Sequence, residues 1–173
     1  MSNQLAYINL IIDNRDQFAK KVIEIATRLG IQANWLMVVF FIETDASRRG
    51  KIDHRIVNSI GATGLLQFMP ETLTRMGTTG AALRVMSNVQ QLDIVEKYLK
   101  PYMGRMKSLA DVYLAVLFPA AIGKPDSWTL EAGKLTAEKM ACANPLYDLN
   151  RDKKITVGEV KTKLKQFIPA VIS

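Results

Sequence analysis

Cysteine is nearly absent. Cys142 is the only one in 173 residues, so no intramolecular disulfide can form and a disulfide-stapled secreted scaffold is excluded. Histidine is equally scarce: His54 stands alone, which leaves no material for a multi-histidine metal centre. Aromatic residues make up only 8% of the chain, and the basic residues are not interleaved with them as a stacking platform would require, which argues against a nucleic-acid-binding module. The longest apolar run, Trp35 to Ile42, is too short to span a bilayer. The stretch from Met1 to Asp16 has neither a basic start nor a long apolar core, so no signal peptide is expected. There is no internal repeat, no low-complexity tract and no alternating pattern of the kind that marks strands.

What is present suits a buried core. Hydrophobic residues reach 49% and charged residues 23%, with a formal net charge of +7. The length fits one domain with a short appendage. The positive excess favours an acidic partner: nucleic acid, an anionic membrane or a polyanionic cell wall.

Helical periodicity runs through the chain. Phe18, Val22, Ile25, Ala26 and Leu29 share one helix face, and Gly30 is placed to end it. Asn34 is the expected N-cap of the next helix, whose Trp35–Ile42 run is apolar all round and so expected to be buried all round. Residues 47–59 read as an exposed basic loop (Arg48, Arg49, Lys51, His54, Arg55). Residues 61–69 read as a glycine-punctuated turn leading into a short apolar helix, with Pro70 starting a fresh one. Leu92, Val95 and Leu99 mark another helix, closed by Pro101. Leu109, Val112, Tyr113, Val116 and Leu117 mark one more, ended by Pro119. Val157, Val160, Leu164 and Phe167 mark the last. Cys142 reads as inert core. The expected class is all-α, with a domain over residues 1–143 and residues 144–173 packed on it.

Glu43 follows eight apolar residues, which places it deep in the core. Burial disfavours a carboxylate's charged form, and a glutamic acid kept protonated near neutral pH is what a general acid needs to protonate a glycosidic oxygen. Position alone leaves another reading open: a surface helix end paired with Arg48 or Arg49. Asp45 lies two residues on, nearly opposite on a helix, and so cannot share a glycosidic bond with Glu43. Asp53 is the better second carboxylate, but nothing around it marks it as buried or paired.

Glu43-Thr44, followed after a polar loop by Gly61-Ala62-Thr63-Gly64-Leu65-Leu66-Gln67-Phe68-Met69-Pro70, resembles the lytic transglycosylase family. That family carries Glu-Ser and then Gly-Ala-x-Gly-Leu-Met-Gln with a Met-Pro. The resemblance implies a lysozyme-like (goose-type) helical domain that cleaves peptidoglycan glycan strands, with Glu43 as acid and then base. It further implies sugar contacts from Thr44, Gly64, Leu65, Gln67, Phe68 and Met69, with Leu66 also walling the cleft. The family's Ala-Tyr-Asn-Ala-Gly stretch survives here only at Tyr113, with Leu114 and Val116 in the asparagine and glycine places. Tyr113 either hydrogen-bonds Glu43 or is a core tyrosine. Goose-type lysozymes share the implied fold and hydrolyse instead. A wall-cleaving enzyme with no signal peptide fits a virion-associated bacteriophage component, or one delivered to the bacterial periplasm or wall.

The segment Asp148 to Glu159 resembles an EF-hand calcium loop. Oxygens from Asp148, Asn150, Asp152, the Lys154 carbonyl and Glu159 fall at the spacing a hard cation needs. Lys153 stands at the turn position normally held by glycine, and Arg151, Lys153 and Lys154 add positive charge, so weak binding is expected. A capped surface turn leading into the last helix is the alternative. Asn144-Pro145 argues against a regular entering helix. The implied ion is structural, and catalysis needs no cofactor. Hydrolytic muramidase activity and a non-enzymatic calcium- or nucleic-acid-binding role are the rival functions.

Overall fold

Helix α1 spans Arg15–Leu29 and buries Phe18, Val22, Ile25, Ala26 and Leu29, the stripe that the 3.6-residue period marks out. Gly30 ends it at φ +69°, a left-handed conformation that costs a residue without a Cβ nothing. These positions belong to a computed structural model that describes residues 5–170.

Helix α2, Ala33–Glu43, follows and packs on α1. Leu36, Met37, Val38, Val39 and Phe40 are fully buried, each worth about 1.5–3 kcal/mol relative to exposure. Trp35, Phe41 and Ile42 are only partly covered, so the expected all-round burial holds for the middle of the helix and fails at its ends. The N-cap is Gln32, which makes no side-chain cap bond. Asn34 is not the cap, because its Oδ1 accepts the Ala6 N–H at 2.8 Å and a tertiary partner has claimed the oxygen.

The expected basic loop holds more structure than its composition suggests. A short helix, α3 (Ala46–Arg49), turns at Gly50. Ile52 then forms an isolated parallel bridge with Ile11, and both Ile52 and His54 are buried. Between residues 61 and 69 no helix forms. The chain instead makes isolated bridges, Val57 with Thr63 and Thr63 with Phe68, and helix begins only at α4, Pro70–Arg75, with Pro70 in its first turn.

Helix α5, Gly80–Val85, is capped by Thr79. Helix α6, Asn88–Leu99, is opened by a reciprocal Ser87–Gln90 capping box. α6 packs on α1, and ion pairs join the two: Arg28 with Glu96 at 2.6 Å and Lys21 with Asp93 at 2.7 Å. Leu92, Val95 and Leu99 are buried as the pattern requires.

The described residues group into two compact units, one running to Gly104 and the other from Arg105. The division falls inside the segment 1–143. In the second unit α7, Leu109–Leu117, is capped by Ser108 and ends just before Pro119. Helix α8, Ala137–Ala143, carries Cys142 on an exposed face. The thiol is therefore not core, since Met140 and Ala141 take the buried positions of this short helix. Helix α9, Val157–Leu164, packs on α7 through a face that buries Val157, Val160 and Leu164, and Phe167 follows in a 3-10 turn.

The protein is all-α: no described residue belongs to a β-strand, and pairing is limited to isolated bridges. Among the described residues no single helix is long and apolar enough to cross a membrane.

Candidate functional site

Glu43 is the last residue of α2 and is partly exposed, not sealed in the core. The helix stops directly after the buried run, so the carboxyl emerges where the apolar side chains leave off. Thr44 makes the stop. It is fully buried, and its hydroxyl donates to the Phe40 carbonyl at 2.7 Å, beside the Thr44 N–H that the same oxygen accepts at 3.0 Å. Asp45 then reverses the chain at φ +52° and pairs with Arg48 at 2.6 Å.

The glycine-punctuated segment folds into a closed turn. Thr63 N–H donates to Phe68 O at 3.0 Å, and Phe68 N–H returns to Thr63 O at 2.9 Å. Gly64 sits at φ +84°, and a Cβ built there would lie 2.7 Å from Gln91 Oε1 and 2.8 Å from Leu83 Cδ2. Only glycine fits both the torsion and the space. Gln67, at φ +45°, takes up left-handed strain of about 1–2 kcal/mol. Its Nε2 donates to Ile56 O at 3.3 Å and Gly64 O at 3.1 Å, which orients its carboxamide from beneath.

A buried glutamine that sequence reasoning missed anchors this turn. Gln91 on α6 is fully covered. It accepts the Leu65 N–H at 3.2 Å and donates to His54 O at 2.7 Å and Leu83 O at 2.8 Å. The signal was present: Gln91 lies on the same stripe as Leu92, Val95 and Leu99, and a polar side chain at a core position implies buried partners.

The glutamate and the turn share a neighbour, Tyr98, also on α6. Phe68 meets its ring edge-on, with centroids 5.4 Å apart, and Tyr102 follows at 6.1 Å. Burial is the main force that pushes the Tyr98 hydroxyl up to about 12; Tyr102 adds to it, Arg75 opposes it, and the Glu43 carboxylate raises it further. Tyr98 therefore stays a protonated donor at every working pH. It too lay on the α6 stripe, three positions after Val95.

The other expected site residues divide clearly. Phe68 is buried against Tyr98, and Met69 is exposed. Leu65 and Leu66 are buried, so their side chains serve the core of this unit. Tyr113 belongs to the second unit, where its hydroxyl is hydrogen-bonded with that of Tyr147. Asp53 is paired after all. Burial would raise its carboxyl, but the Arg55 N–H and Lys51 outweigh that and hold it below the usual range. It is thus a poor proton donor, and Asp53→Asn is expected to cost less than about tenfold in any activity that needs Glu43 as acid. A larger loss in a turbidity assay would make Asp53 a partner in the chemistry. The basic residues here are largely matched: Arg48 with Asp45, Lys51 with Asp53 at 3.5 Å, and Arg55 with Asp13 at 2.8 Å.

In the second unit, Asp148–Glu159 forms a tight loop that runs into the first turn of α9. Asp148 accepts from the N–H groups of Asp152 and Lys153, both at 3.1 Å. Asn150 Oδ1 accepts the Asp152 N–H at 2.9 Å, and Asp152 Oδ1 accepts the Lys154 N–H at 3.0 Å. Lys153 adopts φ +65°, the left-handed turn its position demands, and its amine leaves the loop for Glu138 at 3.0 Å. Ile155 is buried and its carbonyl accepts the Leu130 N–H at 2.8 Å. Glu159 is occupied in a capping box with Thr156 and also accepts the Leu149 N–H at 3.1 Å. Helix α8 ends before Asn144, so no regular helix runs into the loop. Among the described residues no three His, Cys, Asp or Glu side chains stand in metal-binding geometry. The donor types are nevertheless all oxygen, as a hard cation requires, and the carboxylates and amide keep further lone pairs beyond those the backbone uses.

Comparison of the chain with protein-family models, with curated proteins and with solved structures gives no match.

Proposed function

We propose that this chain is a peptidoglycan lytic transglycosylase of lysozyme-like fold, with Glu43 as its single acid/base. One observation carries the reading. The two halves of the sequence motif, separated in the chain, both bear on Tyr98: Phe68 packs edge-on against its ring, and the Glu43 charge helps to raise its hydroxyl. A carboxyl at a helix end beside a phenolic donor, next to a turn with an oriented glutamine, is an arrangement that one-carboxylate glycan cleavage can use.

In the proposed reaction Glu43 donates its proton to the oxygen joining C1 of N-acetylmuramic acid to N-acetylglucosamine, and the C1–O bond breaks. The muramoyl 6-hydroxyl then attacks C1 and gives its proton to the Glu43 carboxylate. The enzyme is restored, no water is consumed, and the product is a 1,6-anhydro sugar. A glycan strand lying over Glu43 excludes water from it, which favours the neutral acid at the start of the cycle. Tyr98, kept protonated, donates toward the carboxylate formed midway. Mass spectrometry of fragments from purified peptidoglycan tests this. Anhydromuramoyl ends are expected, reducing ends would make the enzyme a hydrolase on the same site, and undigested wall would overturn the reading.

The loop from Asp148 to Glu159 is proposed as a weak, structural calcium site built from Asp148, Asn150, Asp152, the Lys154 carbonyl and Glu159. Binding there requires Glu159 to leave its capping box, and Arg151, Lys153 and Lys154 crowd the dication with positive charge, so affinity is expected at about 10⁻⁴ M or weaker. Calcium should then raise the melting temperature in proportion to the logarithm of its concentration. Lys153→Gly should tighten binding by removing one positive charge from beside the ion, and Glu159→Ala should remove the calcium response. A melting curve indifferent to calcium and to chelator leaves only a capped turn.

A further inference from the structure

His54 is the only histidine in the chain, and the mechanism does not use it. It is 1% exposed, and neither ring nitrogen has a hydrogen-bond partner among the described residues. Buried polar atoms are rarely left this way, since each costs about 1–3 kcal/mol when unpaired. The backbone around it is tied to the glycine-punctuated turn. His54 O accepts from Gln91 Nε2 at 2.7 Å. Two residues on, Ile56 O accepts from Gly64 N at 3.0 Å and from Gln67 Nε2 at 3.3 Å.

We propose that His54 is a pH-sensitive latch beneath this turn. Neutral, the imidazole packs in the core and holds residues 53–57 where they support Gly64 and Gln67. Protonated, it cannot stay buried without a partner, so it leaves, and the turn loosens with it. As regulation of the candidate active site, the proposal rests on the lytic reading above; as a conformational device, it stands without it.

The charged and titratable groups facing His54 are few. Asp53 and Arg55 flank it on its own segment, and Asp13, from the segment before α1, is paired with Arg55. Between α5 and α6 the Met86 backbone favours the cation, without a hydrogen bond of normal geometry. Burial first, and Arg55 second, outweigh the two carboxylates and Met86, so the imidazole titrates below its ordinary 6.5. The unfolded chain therefore binds this proton more readily than the folded one. Stability from the neutral side chain is fully present above the unfolded value and is lost as pH falls below it.

Because there is one histidine, its ring carbon–proton signals in the full chain need no assignment, and an NMR titration reads its midpoint directly. The same samples give urea midpoints and the amide protection factor of Gly64 at about pH 7.5 and about pH 5.5. A titration midpoint below 6.5 is expected, with the urea midpoint and the Gly64 protection both falling on acidification. His54→Leu should be at least as stable as wild type at the higher pH, having shed two unpaired polar atoms, and should lose the pH dependence across this window. A midpoint at or above 6.5, or a His54→Leu chain with the wild-type pH slope, overturns the proposal. If His54→Leu does not fold, the wild-type titration and Gly64 protection decide alone. Wall lysis followed in parallel separates the two readings: if Glu43→Gln remains lytic, the catalytic assignment falls while these measurements still judge the latch.

Discussion

Glu43→Gln is expected to lower peptidoglycan lysis by about a thousandfold or more, while leaving the fold and its melting temperature close to those of wild type. The amide has nearly the same shape but can perform neither proton transfer of the proposed reaction, donation to the glycosidic oxygen or acceptance from the muramoyl hydroxyl. Because Glu43 sits at a partly exposed helix end and not inside the buried run, the substitution leaves no buried charge or cavity behind. Loss of activity with an unchanged unfolding curve is therefore the signature sought. A variant that still clears a peptidoglycan suspension at near wild-type rate sinks the assignment of Glu43 as the acid. Tyr98→Phe, which keeps the ring against Phe68 and removes only the hydroxyl, should give a smaller loss, confined to the catalytic rate.

The second large effect is on stability and centres on the glutamine under the turn. Gln91→Leu leaves the Leu65 N–H and the His54 carbonyl buried without their partner, while the Leu83 carbonyl keeps the Met86 N–H at 3.2 Å. At about 1–3 kcal/mol for each orphaned group, a loss of about 3 kcal/mol is expected. That is on the order of a hundredfold in the unfolding constant. Gly64→Ala attacks the same junction from the other side. It adds left-handed strain of about 1–2 kcal/mol and drives a methyl group into Gln91 Oε1. The two lesions share one contact, so Gly64→Ala combined with Gln91→Ala should cost less than the sum of the single changes. Strict additivity in urea unfolding would mean that Gln91 does not brace the turn at Gly64.

The apolar stripes of α1, α6 and α9 were legible because helix burial follows a period, and Gly30, Pro70 and Pro119 punctuate where expected. In α7 the expected Val116 and Leu117 are only partly covered, while Leu114 and Ala115 are buried in their stead. Single side chains with a choice of partner were not legible. Asn34 could have capped a helix, but the Ala6 N–H offered a tertiary bond and took the oxygen. His54 sits among charged neighbours in sequence, yet Ile52 beside it pairs with Ile11 and draws the segment inward. At the candidate site the turn at Gly61 and Gly64 was readable, but the short apolar helix expected after it, before Pro70, does not form. The depth of Glu43 was not readable, because nothing local told where α2 would stop. Tyr98 and Gln91 were visible only as polar interruptions of a stripe, and their partners lie in other elements.

The exposed thiol on α8 gives the second unit a single chemical address. A maleimide can attach there once per chain, just ahead of the loop proposed to hold calcium. An environment-sensitive dye at Cys142 would thus report that loop's ordering without interference from any other site. Left to air, the same thiol limits what oxidation can build: two chains joined by one bond, and no longer covalent chain, since each molecule has only one hand to offer.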